Sequence, residues 1–385
     1  MNKHTAIITD VRFRMSLAII RDIAQMGVKV IAVECNDKTP PLGFYSRYVS
    51  EKYFFEVTAY KDELYSLCER VRNESGEKPV LIPVGTATLN MLSDAETGNK
   101  FSEVCGFCIP SKDQIELLND KKRLSEYAKA CGVPVPEDYS SAEDVDSFPC
   151  VVKPVCGEKF GIKAKDRYKI VNSKSELDAA VSDFLNKCDG QSPVVQQYIK
   201  GDGFGCSVLA CSGKIKSSIM HRRLREYPVS GGPSACCELV DIPELSEYAG
   251  ALISEMNYTG IAMFEFKGSE SEGYFLLECN PRVWGSYPLT RVSDSGFSEQ
   301  WFAESFAKGN PGKEITLPEK RVRRVKMHYA FSDLCSGAGY IKRGMPAKGL
   351  SAIFSILDPT VKHGLFEIGD AKPAIEYIKG IVKRE

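Results

Sequence analysis

The chain reads as an α/β protein whose later part is α+β: a doubly wound layer at the N-terminus, then longer strands and helices around a second sheet. Three observations predict this. Short apolar runs alternate with helically spaced segments over the first third of the chain, the pattern of βαβ units. Further on, strands joined by Gly- and Ser-rich turns replace them, among them the hairpin IAMFEFK–GSESEG–YFLLECN. The chain has 385 residues, 43% hydrophobic and 26% charged, enough for two or three globular domains.

Residues 3–9 form a short apolar strand, and 15–26 (MSLAIIRDIAQM) a helix ended by Gly27. VKVIAVEC at 28–35 is a buried parallel strand. The first turn, TDVRFRM, lacks G-x-G-x-x-G, so a dinucleotide is not expected on the first helix. Tyr53–Val57 reads as a strand, Asp62–Asn73 as a helix, PVLIPV as a strand, and Thr88–Leu92 as the start of a helix. The loops at Thr9–Arg14, Glu34–Lys38 and Val84–Thr88 lie at strand ends, where they either meet a substrate or simply connect elements.

A boundary falls near Ile109–Pro110. Ser111 then caps one helix, a second helix runs to Gly132, and VPVPEDY is extended because Pro disfavours helix before it. SFPCVVKPVCGEKFGIKAKD reads strand, turn, strand, with Gly157 and Gly161 freeing the turn. Lys153 sits in the apolar run CVVKP, either at an edge in solvent or against an anion. Ser173 and Glu176 have capping-box spacing at the start of a helix to Lys187. His221, Arg222, Arg223 and Arg225 cluster beside a Gly-Gly loop, which favours anion binding. Helices follow at Glu244–Met256 and Phe297–Lys308. The last stretch is read as short strands, RVRRVKMHYAF and LSAIFSIL, with a C-terminal helix.

The hairpin carries the chemistry. Phe264 and Phe266 share one strand face and Glu265 takes the other; Glu278 and Asn280 share a face on the second strand. Folding at the turn brings Glu265 near Glu278. Two carboxylates and an amide oxygen are hard ligands suited to Mg2+ together with substrate phosphates. Arg282 follows, able to grip a phosphate or carboxylate through two hydrogen bonds.

A formal net charge of −1 gives no basis for expecting nucleic acid or an anionic membrane as a partner. The N-terminal residues do not form a signal peptide, which points to the cytoplasm. The 14 cysteines read as reduced structural thiols with no disulfide framework.

Over about residues 1–310 the chain resembles the ATP-grasp superfamily, in its carbamoyl-phosphate synthetase and biotin carboxylase branch. The motifs run in family order: NDKKRL, GVPVP, VVKP, VVQQYIKGDG, HRRLREYP with SGGPS, FEF and LLECNPR. The resemblance implies an N-terminal pre-ATP-grasp domain at 1–110 and a two-subdomain ATP-grasp fold at 111–310. Its mobile lid covers about 131–200, and an α/β extension fills 311–385. It implies ATP and Mg2+, with Mn2+ as an alternative ion. Lys121 and Lys153 look like the cations on the ATP phosphates. Gln197, Tyr198 and Ile199 are similar to the adenine-reading hinge, and Asp202 to a ribose contact. His221 and Arg223 resemble basic residues on the phosphate side. Glu265, Glu278 and Asn280 resemble the metal ligands, and Arg282 the residue that steadies an acyl phosphate. The region near Trp284–Arg291 is expected to help shape the acceptor pocket. The implied activity is a ligase joining a small-molecule carboxylate to an amine, or to a thiol, through an acyl phosphate. A bicarbonate-using carboxylase and a non-catalytic ATP-binding module are the alternatives. The extension is expected to serve the acceptor pocket or a homodimer contact. Two departures stand out: the lid loop VCGEKFGIK is poor in glycine, and the hinge reads Gln-Gln-Tyr.

Overall fold

A computed structural model describes residues 4–35, 41–155, 160–162, 168–229 and 232–382. The opening segment contains β1 (Thr5–Thr9), α1 (Ser16–Gln25), β2 (Lys29–Glu34), β3 (Glu51–Phe54), α2 (Tyr60–Ser75), β4 (Val80–Pro83), α3 (Thr86–Ser93) and α4 (Ala95–Ser102). Its strands form a parallel sheet in the order β3-β2-β1-β4. Alternation along β1 covers both faces: Ala6 and Ile8 pack with Ile19 and Ile23 of α1, while Ile7 packs with Leu64 and Leu67 of α2. β3 begins two residues before the expected Tyr53. It pairs Ile31 with Glu51 and Glu34 with Phe54, and ends where β2 ends, leaving Val57 71% exposed. Residues 36–40, which include most of the Glu34–Lys38 loop, lie outside the described residues.

Helices α5 (Lys112–Asn119) and α6 (Lys121–Ala130) follow. Ser111 caps α5 in a full capping box with Gln114, and Asp120 accepts from the Lys122 and Arg123 N–H groups at the start of α6. A small antiparallel sheet comes next, made of β5 (Asp138–Tyr139), β6 (Cys150–Lys153), β7 (Lys169–Val171) and β8 (Val194–Gln197) in the order β5-β8-β6-β7. Helix α7 (Lys174–Lys187) backs it through Leu177 and Phe184. Ser173 caps α7, but the Glu176 carboxylate accepts from Asn172 N–H at 2.8 Å rather than completing a box with Ser173. Of the lid-loop glycines, Gly161 is described, with φ of 65°, and Gly157 lies outside the described residues.

The large sheet starts with β9 (Asp202–Cys211), β10 (Lys214–Glu226) and β11 (Ser234–Val240). Helix α8 (Pro243–Glu255) leads to the hairpin β12 (Gly260–Ser269) and β13 (Gly273–Asn280). Then come α9 (Leu289–Val292), α10 (Phe297–Gly309), β14 (Lys326–His328), α11 (Ala330–Lys342), α12 (Pro346–Leu357), β15 (Val361–His363) and α13 (Lys372–Val382). Seven strands align as β13-β12-β9-β10-β11-β14-β15, so strands from the last stretch complete this sheet. One face, with Leu209, Ile261 and Met263, packs with Trp284, Trp301 and α1. The other, with Val208, Phe264 and Phe266, packs on α6 and α8.

LSAIFSIL is not a strand; it lies within α12. Leu350, Ile353, Phe354 and Leu357 recur at helical spacing, and Pro346 opens the helix at its first turn, where a missing N–H costs nothing. Among the described residues the cysteines are free thiols. Cys105-Gly-Phe-Cys108 has C-x-x-C spacing, yet the two thiols part company. Cys105 donates to Phe101 O, and Cys108 contacts Cys211 with its sulfur at 3.3 Å.

The C-terminal residues tie the first sheet to the large one. Asp370 is buried and accepts from Arg21 Nε at 2.9 Å, Ser46 Oγ at 2.8 Å and Arg47 N at 2.9 Å. Arg291 bridges Asp22 of α1 and Glu367. No helix among the described residues is long and apolar enough to cross a membrane. Asp370→Ala removes the nearer carboxylate from the buried Arg21 guanidinium, which keeps Glu367 at 3.7 Å and the Leu365 and residue-370 carbonyls, so denaturant unfolding is expected to register a loss of about 1–3 kcal/mol. A change within experimental error would show that Asp370 does not hold the seam.

Candidate active site

The hairpin places its carboxylates as its spacing requires. The ladder sets Glu265 directly opposite Glu278, and Met263 opposite Asn280, with a register shift just after Glu265. On the other side, β9 aligns Gly205 with Glu265 and Gly203 with Lys267, and β10 aligns His221 with Gly205. The two glycines clear this face. A Cβ on Gly205 would sit 2.2 Å from His221 Cε1, and one on Gly203 would sit 3.2 Å from Arg223 Cδ. Without those side chains, His221 and Arg223 lie across β9 toward Glu265. The sequence alone did not place these two glycines on a strand. The available signal was the period-2 spacing of Gly203 and Gly205 on a strand.

Cations from three other elements gather here. The Arg223 guanidinium bonds Glu265, and Asn280 Nδ2 donates to the same carboxylate at 3.2 Å. Lys121, at the start of α6, lies 3.5 Å from Glu278. Lys153, on β6, is only 8% exposed and close enough to feel both Lys121 and Glu278. Burial pushes the Glu265 carboxyl up to about 6; Arg223 opposes this and the Glu278 charge adds to it. Desolvation also pushes Glu278 up, but Lys121, Arg223 and Lys153 outweigh it and hold that carboxyl below its ordinary value. Arg223 Nε is buried without a hydrogen-bond partner, a donor left over for a ligand.

His221 corrects an expectation. It is buried, its Nε2 lies 3.2 Å from Ser286 Oγ, and burial with the nearby Arg223 pushes its pKa down to about 3. The ring is therefore neutral near pH 7 and adds no positive charge. Asp202 is a second correction. Paired with Gly268, it lies on the face opposite Glu265 and meets Arg222 at 3.5 Å. A groove of about 770 Å3 opens on that face, lined by Asp202, Arg222, Glu238 and Tyr274, away from the carboxylates. Gln197 ends β8 with its N–H on Glu137 O, Ile199 is buried, and Lys267 Nζ lies 4.4 Å from the centre of the Tyr198 ring. Arg282 donates to Val283 O on its own loop. In the Trp284–Arg291 stretch, Trp284 and Tyr287 are core and Arg291 is taken by Asp22 and Glu367, so these three side chains do not line an acceptor pocket.

The oxygen donors of Glu265, Glu278 and Asn280 fit Mg2+. No group of three or more His, Cys, Asp or Glu able to hold a metal occurs among the described residues. An ion at this hairpin therefore needs further ligands from water or a phosphate, which is the habit of Mg2+.

Burial pushes the Lys153 ammonium down to about 8, with the Lys121 charge adding and Glu278 opposing. Between pH 8 and the ordinary lysine value, the unfolded chain binds more protons than the folded one, so stability rises with pH across that window. Below pH 8 the full cost, on the order of 3 kcal/mol, is present. Urea midpoints are expected to show Lys153→Met more stable than the parent at pH 7, with the gap closing by pH 10.5; parallel pH curves would refute this. Gly205→Ala is expected to displace the His221 ring and lower stability by about 1–3 kcal/mol in the same measurement.

No family model matches the chain. It is 22% identical over 311 residues to the carbamoyl phosphate synthase large chain of Archaeoglobus fulgidus, covering 76% of this chain and 27% of that one. It is 26% identical over 170 residues to the D-alanine–D-alanine ligase of Fusobacterium nucleatum, covering 42% and 55%. The chain thus spans from about a quarter to about half of these relatives. Its fold matches biotin carboxylase of Campylobacter jejuni, solved as a β-γ-ATP complex, with a TM-score of 0.60 and 17% identity over 83% of this chain and 74% of that one. The motif order, the paired sheets and these likenesses agree: the chain shares its fold with biotin carboxylase and is similar in sequence to proteins of the carbamoyl-phosphate synthetase and biotin carboxylase branch of the ATP-grasp superfamily.

Proposed function

We propose that the chain is an ATP-dependent ligase that activates a carboxylate as an acyl phosphate and passes it to an amine. The observation that carries this is the facing pair Glu265 and Glu278, with Asn280 beside them and Lys121, Lys153 and Arg223 around them. Glu265, Glu278 and Asn280 would hold Mg2+, which supplies charge neutralisation to ATP phosphates when bound. Lys121, Lys153 and Arg223 place positive charge where the transferring phosphoryl group spreads its negative charge. A substrate carboxylate oxygen attacks the γ-phosphorus, and the bond to the ADP oxygen breaks. The amine then attacks the acyl carbon, phosphate leaves, and an amide forms. His221, neutral and fixed by Ser286, serves as a hydrogen-bonding wall beside Arg223 rather than as a charge. Arg282, one residue beyond the Asn280-Pro281 step, would orient the acyl phosphate. Adenine would meet the Gln197–Ile199 backbone.

The D-alanine–D-alanine ligase likeness supports an amine acceptor. The carbamoyl phosphate synthase and biotin carboxylase likenesses support a second reading in which bicarbonate is the acid. ADP release with Mg-ATP separates them. Dependence on bicarbonate alone favours the second, and dependence on an organic acid with an amine favours the first. ATP binding without turnover on any acid or amine would favour a binding module and overturn both.

Loss of one preorganised charged contact typically costs roughly 10²–10³ in rate. Glu278→Gln is expected to cut ADP release by at least that factor while leaving circular dichroism unchanged. Near-normal ADP release from a folded variant would sink the assignment of the carboxylates.

A further inference from the structure

Cys206 and Cys236 lie in the core, where burial pushes their thiols up to about 12. Cys108 and Cys211 are placed differently. Their sulfurs meet at 3.3 Å although the residues are 103 apart in the chain. Cys108 is fully buried, whereas Cys211 is partly exposed. The hydrogen bond with Cys211 holds the Cys108 thiol below its ordinary value; the Lys308 charge adds to this, while burial and Glu304 oppose it. The contact therefore joins a reachable sulfur to an acidified one.

Both sulfurs stand on fixed supports. Cys211 ends β9, where the ladder pairs it with Lys214 of β10. Cys108 lies between α4 and α5. The Trp301 indole of α10 donates to Cys108 O at 2.9 Å, and Gly106 bonds Pro79 O through its N–H and Leu81 N through its carbonyl, each at 2.9 Å. Gly106 has to be bare there, since a Cβ would sit 2.3 Å from Ser305 O. The neighbouring Cys105 thiol turns away and donates to Phe101 O at 3.3 Å. An approach of roughly 1 Å brings Cys108 and Cys211 to the ~2.05 Å of an S–S bond.

We propose that Cys108 and Cys211 form a redox modification site that closes to a reversible disulfide when the chain meets a peroxide. The more exposed Cys211 sulfur attacks a peroxide oxygen; the O–O bond breaks, water leaves, and Cys211 carries a sulfenic acid. The Cys108 sulfur attacks that sulfur, the S–O bond breaks, and a second water leaves with the Cys108 proton as the S–S bond forms. Two thiols are oxidised and one peroxide is reduced to two waters. The loop so closed contains α5, α6 and the small sheet. The bond thus fastens both ends of the segment that carries Lys121 and Lys153 to the site. The proposal does not rest on the ligase reading.

Hydrogen peroxide treatment of the folded full chain, alkylation of the remaining thiols and peptide mass spectrometry without reductant test it. The expected product is a chain two hydrogens lighter, with one linked pair of peptides whose fragments place the bond at Cys108 and Cys211. Dithiothreitol is expected to restore the starting mass. The oxidised chain is expected to unfold at a urea concentration higher by roughly 1 M, because the cross-link constrains the unfolded chain, and reductant is expected to erase the gap. In Cys108→Ser the second step is lost, so peroxide is expected to leave a sulfenic acid on Cys211 that dimedone captures. The wild-type peptide map decides the matter whether or not that variant folds. A bond from Cys105 to Cys108 or from Cys68 to Cys105, a link between two chains, sulfinic acid on Cys211 without a link, or no reaction overturns the proposal.

Discussion

The site depends on one uncomfortable pairing. Glu265 and Glu278 face each other across an antiparallel ladder, and like charges directly opposite destabilise a sheet. The pair is tolerable because cations arrive from outside the hairpin. Arg223 reaches from β10, two strands away, Lys121 from the head of α6, and Lys153 from the small sheet. Each comes from a different part of the chain, so the carboxylate pair is stabilised only when those parts are assembled. The opposite shifts of the two carboxyls follow from the same arrangement. Glu265 is the more deeply set and feels its neighbour's charge; Glu278 faces more cations.

Access across the sheet matters as much as charge. Arg223 and His221 can lean over β9 only because Gly203 and Gly205 present no side chains on that face. The same strand carries Phe204 and Cys206 on its other face into the core beneath α8. One strand thus alternates between absent and bulky side chains, leaving one face open to a ligand and keeping the other dry and packed. Lys153 and His221 show what burial does here. The ammonium becomes easier to deprotonate and the imidazole stays neutral, since either charge must be taken out of water.

How much of this was legible follows from the range of each signal. The facing of Glu265 and Glu278 was readable because a short Gly- and Ser-rich turn links the two strands, and alternation then fixes faces. The Ser111 cap was readable because its partner Gln114 is three residues away. The neutrality of His221 was not, since it depends on burial by distant residues such as Ser286. Nor was the face of Asp202, which is set by counting back from Gly205 once the pairing with Glu265 is known. LSAIFSIL was misread because a short apolar run fits either a strand or a helix face. Its exposure on α12 then hid the other clue, because Phe354 and Leu357 are largely exposed and join none of the core clusters among the described residues.

The apolar stripe with Phe354 and Leu357 lies on the side of α11 and α12 away from a buried ion pair, Arg225 with Asp333. If α11 and α12 were free to turn, hydrophobic burial would roll Phe354 and Leu357 onto the sheet. Turning the helices would pull Asp333 away from Arg225 and leave a buried guanidinium without its carboxylate, a loss of about 3–5 kcal/mol. His328 adds to the hold: its Nδ1 lies 3.2 Å from Asp333, and its Nε2 lies 3.0 Å from His363 on β15. A buried polar cluster of this kind contributes little net stability against an apolar replacement, but it selects one orientation of the helices over others that are nearly as well packed. Arg225, Asp333 and His328 thus anchor α11 and α12 to the last strands of the sheet from beneath, and the apolar residues of the two helices lie on the opposite side.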